Sequence, residues 1–228
     1  MDLKVYIGWD SREDIAYQVA RKTLLEAASV PVEVEPIRLG DLVDRGLYTR
    51  DIDPLASTEF TYSRFLVPHL NGYEGWALFC DCDFMFFSDI AGLLDYRDPS
   101  KAVLCVQHDY TPKEATKMDG QAQTSYPRKN WSSFMLFNCA HPSTRTLTPE
   151  VVNGQSGAYL HRMQWAADSE IGALPTEWNW LDGWNEPPAQ GTPHAVHYTS
   201  GGPWFEDYQD VAYADIWRAK AAEVRADS

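Results

Sequence analysis

One short apolar run constrains the fold of this chain more than any other feature. Residues 76–80 read Trp-Ala-Leu-Phe-Cys, without a polar side chain, and the run stops at Asp81. Because a strand with one face in water alternates apolar and polar residues, an unbroken run predicts a strand that is covered on both faces. Such strands are typical of α/β proteins, in which helices pack on both sides of the sheet.

The segments around this run alternate between strand and helix patterns. Residues 3–8 predict a strand, residues 13–28 a helix and residues 32–37 a second strand, which together make a βαβ unit. Further elements are predicted as strands at 102–106, 133–137 and 194–198, and as helices at 157–168 and about 208–225. The pattern predicts one α/β domain over residues 1–228, with a central sheet flanked by helices.

Composition excludes several classes of protein. The chain carries 19 Lys and Arg against 33 Asp and Glu, a formal charge of −14 without a basic cluster, so no nucleic-acid partner is expected. No apolar run approaches the roughly 18 residues of a transmembrane segment, and the N-terminus lacks a signal-peptide pattern, so we expect a cytoplasmic protein. The four cysteines lack CxxC spacing and are expected to be buried apolar side chains: Cys80, Cys82, Cys105 and Cys139.

Two carboxylates follow the buried run. Asp81 and Asp83 lie two residues apart, so in an extended segment they face the same side and repel each other. Ligands of open α/β sheets bind beyond the carboxyl ends of such strands. A divalent cation, Mn²⁺ or Mg²⁺, would relieve the repulsion and bridge to a diphosphate. The alternative is an acidic turn that caps a helix beginning near Ser88 or Asp89.

Five further motifs flank this Asp-x-Asp motif. They are Val5–Asp10, Thr61–Phe65, Asn130–Asn138, Leu174–Asn179 and His197–Trp204. Together the six resemble the retaining GT-A glycosyltransferases of the family that contains glycogenin and the bacterial lipopolysaccharide galactosyltransferases, over residues 3–205. The resemblance implies a Rossmann-like GT-A domain with a mixed, mostly parallel sheet. Its nucleotide-sugar-binding half is residues 1–106, and its acceptor-side half, with the C-terminal helix, is residues 107–228.

The resemblance also implies roles for individual residues. The implied metal ligands are Asp81, Asp83 and His197. The implied contacts to the donor nucleotide sugar are Gly8, Trp9, Asp10, Arg64, Asp81 and Gly201. The implied catalytic residues are Arg64, which touches the donor's phosphate or sugar, and Asp168, which holds donor hydroxyl groups.

These roles have structural alternatives. Arg64 could be a helix-surface arginine paired with Glu59 or Asp89, His197 a buried structural histidine, and residues 8–10 an ordinary turn after a strand. The chain also departs from the family at two positions. Gly202 stands where the family commonly has a lysine that steadies the leaving phosphate, and Ser169 stands where it has a glutamine near the reacting sugar.

The implied function is metal-dependent transfer of a sugar from a nucleoside diphosphate donor, UDP-linked, to a carbohydrate or other hydroxyl acceptor, with retention of anomeric configuration. Two other functions stay open: a nucleotidyltransferase or metal-dependent phosphohydrolase, and a non-catalytic sugar-binding protein. Trp178 and Trp184, in the tryptophan-rich region 165–204, are candidate acceptor contacts. The polar stretch 107–130 is a candidate lid that donor or acceptor binding would protect from proteolysis.

Overall fold

A computed structural model of the chain describes residues 3–51, 56–109, 128–188 and 190–226. Its strands are β1 (Leu3–Gly8), β2 (Val32–Ile37), β3 (Trp76–Cys80), β4 (Phe84–Phe86), β5 (Val103–Val106), β6 (Phe134–Asn138), β7 (Ile171–Leu174), β8 (Trp180–Leu181) and β9 (Ala195–His197). Its α-helices are α1 (Asp14–Ala27), α2 (Leu39–Asp44), α3 (Val67–Leu70), α4 (Pro142–Arg145), α5 (Pro149–Gly154), α6 (Gly157–His161) and α7 (Ala214–Ala226). Short 3-10 helices cover Ser63–Leu66, Ile90–Tyr96, Trp131–Ser133, Asp168–Glu170, Thr176–Asn179 and Glu206–Tyr208.

Two sheets organise these elements. The central sheet has six strands in the order β2-β1-β3-β6-β5-β7. Strand β6 runs antiparallel to β3 and β5, and the other pairs are parallel. A smaller sheet of three strands, β4-β9-β8, stands beside the carboxyl end of β3. The mixed, mostly parallel central sheet, with helices packed beside it, confirms the predicted α/β fold class.

The apolar run behaves as its composition predicts. Residues 77–80 of β3 are fully buried, between β1 on one side and β6 on the other. The polypeptide leaves this buried strand directly at Asp81, whose backbone N–H donates to the Ser133 carbonyl at 3.0 Å. The core strand therefore holds the two carboxylates at one defined edge of the sheet.

Several predicted helices are shorter in the structure than in the sequence analysis. The helix expected over 157–168 ends at His161, because Met163 adopts a positive φ of 52° that an α-helix does not allow. The C-terminal helix begins at Ala214 rather than near residue 208, after Tyr213 with a φ of 59°. Most of the candidate lid, residues 110–127, lies outside the described residues.

Among the described residues, no helix combines the length and the apolar character that a bilayer crossing requires. The four cysteines are buried and unpaired, as predicted.

The end of β1 packs tightly against the segment that leads to Arg64. A Cβ atom added at Gly8 would lie 2.5 Å from the Phe60 ring, and Phe60 is itself buried against Phe79 of β3. A glycine at position 8 therefore lets the Phe60 ring reach the sheet.

We expect Gly8→Ala to lower the free energy of unfolding by about 1–3 kcal/mol, because the ring must move away from the new methyl group. Gly40→Ala is the matched control, because Gly40 lies in α2 and has open space around its Cβ position. This substitution should raise the free energy of unfolding by about 0.5–1 kcal/mol. Urea denaturation of both variants measures the two changes. Equal stabilities for the two variants would contradict the packing described here.

Candidate functional site

A cavity of about 580 Å³ opens beyond the carboxyl end of β3. Its walls come from the segment 56–64, the β3–β4 turn, residues 128–133, the start of α6 and residues 197–205. The acidic, basic and histidine side chains that line it are Glu13, Arg64, Asp81, Asp83, Arg128, Lys129, His161 and His197. The cavity therefore combines an acidic cluster with cationic side chains.

Three candidate metal ligands meet in this cavity. One ligand atom each from Asp81, Asp83 and His197 lies within 4.8 Å of the others. Asp81 and Asp83 belong to the turn between β3 and β4, and the antiparallel β4–β9 pair places His197 opposite Phe84. His197 Nε2 lies 3.2 Å from Asp83 Oδ2. The small sheet thus places His197 next to the carboxylate pair, although more than a hundred residues separate them in the sequence.

The His197 ring is held in one orientation. Its Nδ1 is 2.9 Å from Asn179 Oδ1, and Asn179 Nδ2 donates to Ser133 Oγ at 2.9 Å. The Phe84 ring stacks on the imidazole at a centroid distance of 4.5 Å. Because Asn179 Oδ1 can only accept, it fixes a proton on Nδ1, so Nε2 is the nitrogen that faces Asp83 and that would bind a cation in its deprotonated form. Burial acts to lower the pKa of His197, but the neighbouring Asp83 charge outweighs it and raises that pKa.

Arg64 is buried against the cluster. Its Nη1 lies 2.7 Å from Asp81 Oδ1 and donates to the Ser132 carbonyl at 2.9 Å. The alternative of a surface arginine paired with Glu59 or Asp89 is therefore wrong. Burial and the adjacent Asp83 raise the pKa of Asp81, whereas Arg64 acts to lower it. The ion pair supplies one positive charge to a site that holds two carboxylates.

The residues present fit a divalent cation. Asp83 Oδ1 is buried and has no hydrogen-bond partner among the described residues. Two carboxylates and one neutral imidazole nitrogen are a donor set suited to Mn²⁺, and the carboxylates also suit Mg²⁺. The capping alternative does not hold for either carboxylate, because Asp89 accepts the hydrogen bond from Ala91 N at the start of the following helix.

Glu13 adds a further carboxyl group that the sequence analysis did not single out. It precedes α1 and lines the cavity. Burial, with the charges of Asp83 and Asp10, raises the pKa of Glu13 to about 7. The only sequence signal was its place in a polar run directly after β1. Glu13 extends the excess negative charge that a cation would neutralise.

His161 is a second cavity residue that the sequence did not single out. Ser132 Oγ lies 2.8 Å from its Nδ1, and burial lowers the pKa of His161 to about 3. The imidazole is therefore uncharged at neutral pH. It lies edge-on to Phe65, next in the chain to Arg64. No periodicity or spacing marked it, because it reaches the cavity only through the position of α6.

Residues 8–10 do not line the cavity. Gly8 packs on Phe60, and Trp9 Nε1 donates to Asp14 Oδ1 at 2.7 Å. Asp10 is fully buried, and its carboxylate accepts hydrogen bonds from the Arg12 side chain and from Glu59 N at 3.1 Å. Asp10 thereby ties the β1–α1 turn to the segment that carries Arg64.

The remaining candidates fall in different places. Gly201 lines the cavity with a φ of +130°, and the Tyr208 ring occupies the space of its missing side chain. Asp168 is exposed and does not line the cavity, but it forms an ion pair with Arg128, which does. Trp178 is buried beside Phe134 in the core, which contradicts the acceptor contact expected of it.

The chain is similar to known proteins in sequence and in fold. No model of a known protein family matches the sequence. The protein CDI of Arabidopsis thaliana is 54% identical over 219 residues, which cover 94% of this chain and 84% of CDI. Its name carries no statement of activity.

Two glycosyltransferases are among the solved structures that share the fold. The bifunctional glycosyltransferase WbbM is 16% identical with a TM-score of 0.70; the match covers 97% of this chain, which spans 50% of the WbbM chain. The galactosyltransferase LgtC, solved with donor and acceptor sugar analogues, is 14% identical with a TM-score of 0.61, covering 98% of this chain and 96% of LgtC. The likeness confirms the predicted GT-A fold.

Glu13→Gln tests the charge balance of the site. An unfolded glutamate titrates near 4.5, whereas the folded-state pKa is about 7. The folded protein therefore binds the Glu13 proton more tightly than the unfolded chain does. The resulting contribution to the free energy of unfolding is fully present below about pH 4.5 and is lost as the pH rises through 7.

We expect the melting temperature of Glu13→Gln to exceed that of the unsubstituted protein by an amount that increases as the pH rises from about 5 to about 8. Mn²⁺ should narrow that difference, because a cation near Asp83 also stabilises the ionised Glu13. Thermal melts at several pH values, with and without Mn²⁺, measure both effects. A difference that does not change with pH would show that Glu13 is not held in this acidic environment.

Proposed function

The chain belongs to the same family as the Arabidopsis thaliana protein CDI, and we propose that it is a metal-dependent glycosyltransferase. The donor is a nucleoside diphosphate sugar, most simply UDP-linked, and the acceptor is a hydroxyl group. The observation that carries this proposal is the Asp81, Asp83 and His197 cluster at the carboxyl end of a GT-A central strand. The adjoining cavity of about 580 Å³ lies within the usual range for a small-molecule site.

Charge explains how an acidic protein would bind a diphosphate. Asp81, Asp83 and Glu13 line the cavity and repel a diphosphate, and Arg64 forms an ion pair with Asp81. A bound Mn²⁺ or Mg²⁺ would supply Lewis-acid stabilisation of the departing diphosphate. Arg64, fixed by the Ser132 carbonyl, presents its guanidinium where that negative charge develops.

The missing family lysine has possible replacements in the cavity wall. No side chain fits at position 202, since a Cβ there would lie 2.0 Å from the Trp204 ring. Arg128 and Lys129 line the same cavity. We assign the second phosphate contact to these two residues. Arg128 also links the cavity to Asp168, which gives Asp168 a positioning role toward the donor.

We extend the proposal to retention of configuration, in line with the glycosyltransferase family that the motifs resemble. The leaving phosphate oxygen would help to deprotonate the acceptor hydroxyl, so the reaction needs no separate general base. The chain's own residues would then bind and orient the donor and stabilise the leaving group. Analysis of the anomeric configuration of the product tests this part.

Product analysis separates the proposal from its alternatives. A glycosyltransferase incubated with UDP-sugars releases UDP and a glycoside, or UDP and free sugar where water replaces the acceptor. A phosphohydrolase or nucleotidyltransferase instead breaks or forms a phosphorus–oxygen bond and yields UMP, a sugar phosphate or a new diphosphate. A sugar-binding protein yields no product. Absence of UDP release with every UDP- and GDP-sugar tested would contradict the proposal.

UDP should stabilise the protein against unfolding only with Mn²⁺ or Mg²⁺ present. At a UDP concentration of 100 times the dissociation constant, the free energy of unfolding should rise by about 2.7 kcal/mol. Uridine, which lacks the diphosphate, is the control and should show no dependence on the metal. Equal stabilisation by UDP in excess EDTA would show that no metal bridges the carboxylates and the diphosphate.

Asp83→Asn and Cys82→Ser form a matched pair. Asp83→Asn keeps the shape but removes the charge, so sugar transfer or sugar-nucleotide hydrolysis should fall about a hundredfold or more. Its stability without ligand should hold or rise, because repulsion with Asp81 is relieved. Cys82 is buried in the core, so Cys82→Ser should lower stability by about 1–3 kcal/mol and leave the Mn²⁺ requirement unchanged. A fully active Asp83→Asn protein would rule out the metal-ligand role.

A further inference from the structure

The helix α7 is attached to the domain by a small apolar surface. Three of its 13 residues are buried, namely Ala214, Trp217 and Ala221. Trp217 and Ala221 belong to a hydrophobic cluster that α1 and the small sheet share, and this cluster is distinct from the one around the central sheet. The main core of the domain therefore does not hold α7 directly.

Part of this attachment is energetically unfavourable. The indole Nε1 of Trp217 is buried without a hydrogen-bond partner among the described residues, and so is that of Trp204, whose ring centroid lies 5.3 Å away. A buried N–H that gives up water and gains no other acceptor destabilises the docked state. We therefore expect α7 to undock in local openings that leave the central sheet folded.

Four charged side chains fasten α7 to α1. Lys220 Nζ lies 2.8 Å from Glu26 Oε2 and 3.2 Å from Glu223 Oε2, and Lys22 Nζ lies 3.1 Å from Glu26 Oε1 and 3.3 Å from Glu223 Oε2. The signs of the charges alternate around this square, to which each helix contributes one lysine and one glutamate. Because all four side chains are partly exposed, each ion pair contributes little. The square defines where α7 docks without making the docking strong.

A row of aromatic rings leads from α7 to the wall of the donor cavity. Trp204, against which Trp217 packs, also packs on Phe205 at a centroid distance of 5.5 Å and on Tyr198 at 6.0 Å. Phe205 and Tyr198 both line the cavity, and Tyr198 directly follows the candidate metal ligand His197. Undocking of Trp217 would therefore remove a support of two cavity residues.

Hydrogen bonds make the same connection. Arg218 Nη1 of α7 donates to the Gln209 carbonyl at 2.9 Å, and Gln209 Nε2 donates to the Phe205 carbonyl at 2.7 Å. The Tyr198 hydroxyl donates to the Ala212 carbonyl at 2.9 Å, in the segment that leads into α7. The docked position of α7 and the conformation of residues 198–205 therefore depend on each other.

We propose that α7 is a strap that positions this wall of the donor cavity, so that docking of α7 and binding of a metal-bound nucleoside diphosphate stabilise each other. Trp217 is then a positioning residue, which acts on the donor through Trp204 and Phe205 without touching it. The identity of the ligand rests on the proposed function. The coupling is reciprocal, because a ligand that binds the docked form better shifts α7 toward that form, and loss of docking lowers the affinity for the ligand.

Hydrogen exchange of the full chain, followed by mass spectrometry, tests the coupling. None of the residues 214–226 lines the cavity, so a ligand in the cavity does not protect their amides by contact. Without ligand these amides should exchange faster than those of β3, and saturating UDP with Mn²⁺ should slow them about tenfold or more. Helix α2 is the control, because it also lies outside the cavity wall and its exchange should stay unchanged.

Lys220→Ala and Lys4→Ala form a matched pair. Each lysine makes two ion pairs, with side-chain exposures of 26% for Lys220 and 25% for Lys4, but Lys4 pairs with Glu33 and Glu35 of β2. Lys220→Ala should speed the exchange of α7 about two- to fivefold, because the square loses one of its two cations. Lys4→Ala removes the same charge elsewhere and should leave α7 unchanged.

Substitution of Trp217 tests the reciprocal effect. Trp217→Ala should weaken UDP binding in the presence of Mn²⁺ about tenfold or more, while the amides of β3 stay protected. Trp217→Phe keeps an aromatic contact with Trp204 and should recover most of the affinity. If Trp217→Ala exposes β3 to exchange, the UDP-dependent protection of α7 and the lysine pair decide the question.

Several results would overturn the strap. They are equal protection of α2 and α7 by UDP, unchanged exchange of α7 while UDP binds, and equal effects of the two lysine variants. UDP binding, followed separately by thermal shift, distinguishes the two levels of the argument. Its absence with metal present refutes the proposed donor and the strap with it, whereas its presence without protection of α7 refutes the strap alone.

Discussion

The structure of the site depends on the repulsion between two carboxylates at the end of a buried strand. Asp81 follows the last residue of the buried strand β3, and Asp83 lies in the turn directly after it. Arg64 and His197 approach them from two other parts of the chain and partly balance their charge. Asp83 Oδ1 still has no hydrogen-bond partner in the described residues. The cavity around this imbalance is therefore organised to receive positive charge.

The side chains that position this cluster come from distant parts of the sequence. Asn179 contacts both His197 and Ser133, so it links the small sheet to the 3-10 helix directly before β6. Asp10 joins the first turn of the fold to the segment that carries Arg64. These contacts give buried polar side chains a structural role close to the site. Substitution of either residue would disturb the cluster without removing a ligand.

Sequence patterns predicted the parts of the molecule that local physics determines. The apolar run 76–80 predicted the buried strand β3. The Asp81–Asp83 spacing predicted two neighbouring carboxylates in an extended segment, and the structure brings them together in a turn instead. The Arg64–Asp81 ion pair was not predictable by spacing, because tertiary packing alone brings the two together. Trp178 and Trp184 had similar sequence surroundings, and only the fold shows that the first is buried and the second exposed.

A crystal structure with UDP and Mn²⁺ tests the central claim most directly. The account predicts one anomalous manganese peak bound by Asp81, Asp83 and His197, with the diphosphate on its open side and Arg64 close to the phosphate oxygens. Asn179 should still accept from His197 Nδ1 in that structure. A manganese ion bound elsewhere, or UDP in the cavity with the Arg64–Asp81 pair intact and no metal between the carboxylates, would contradict it.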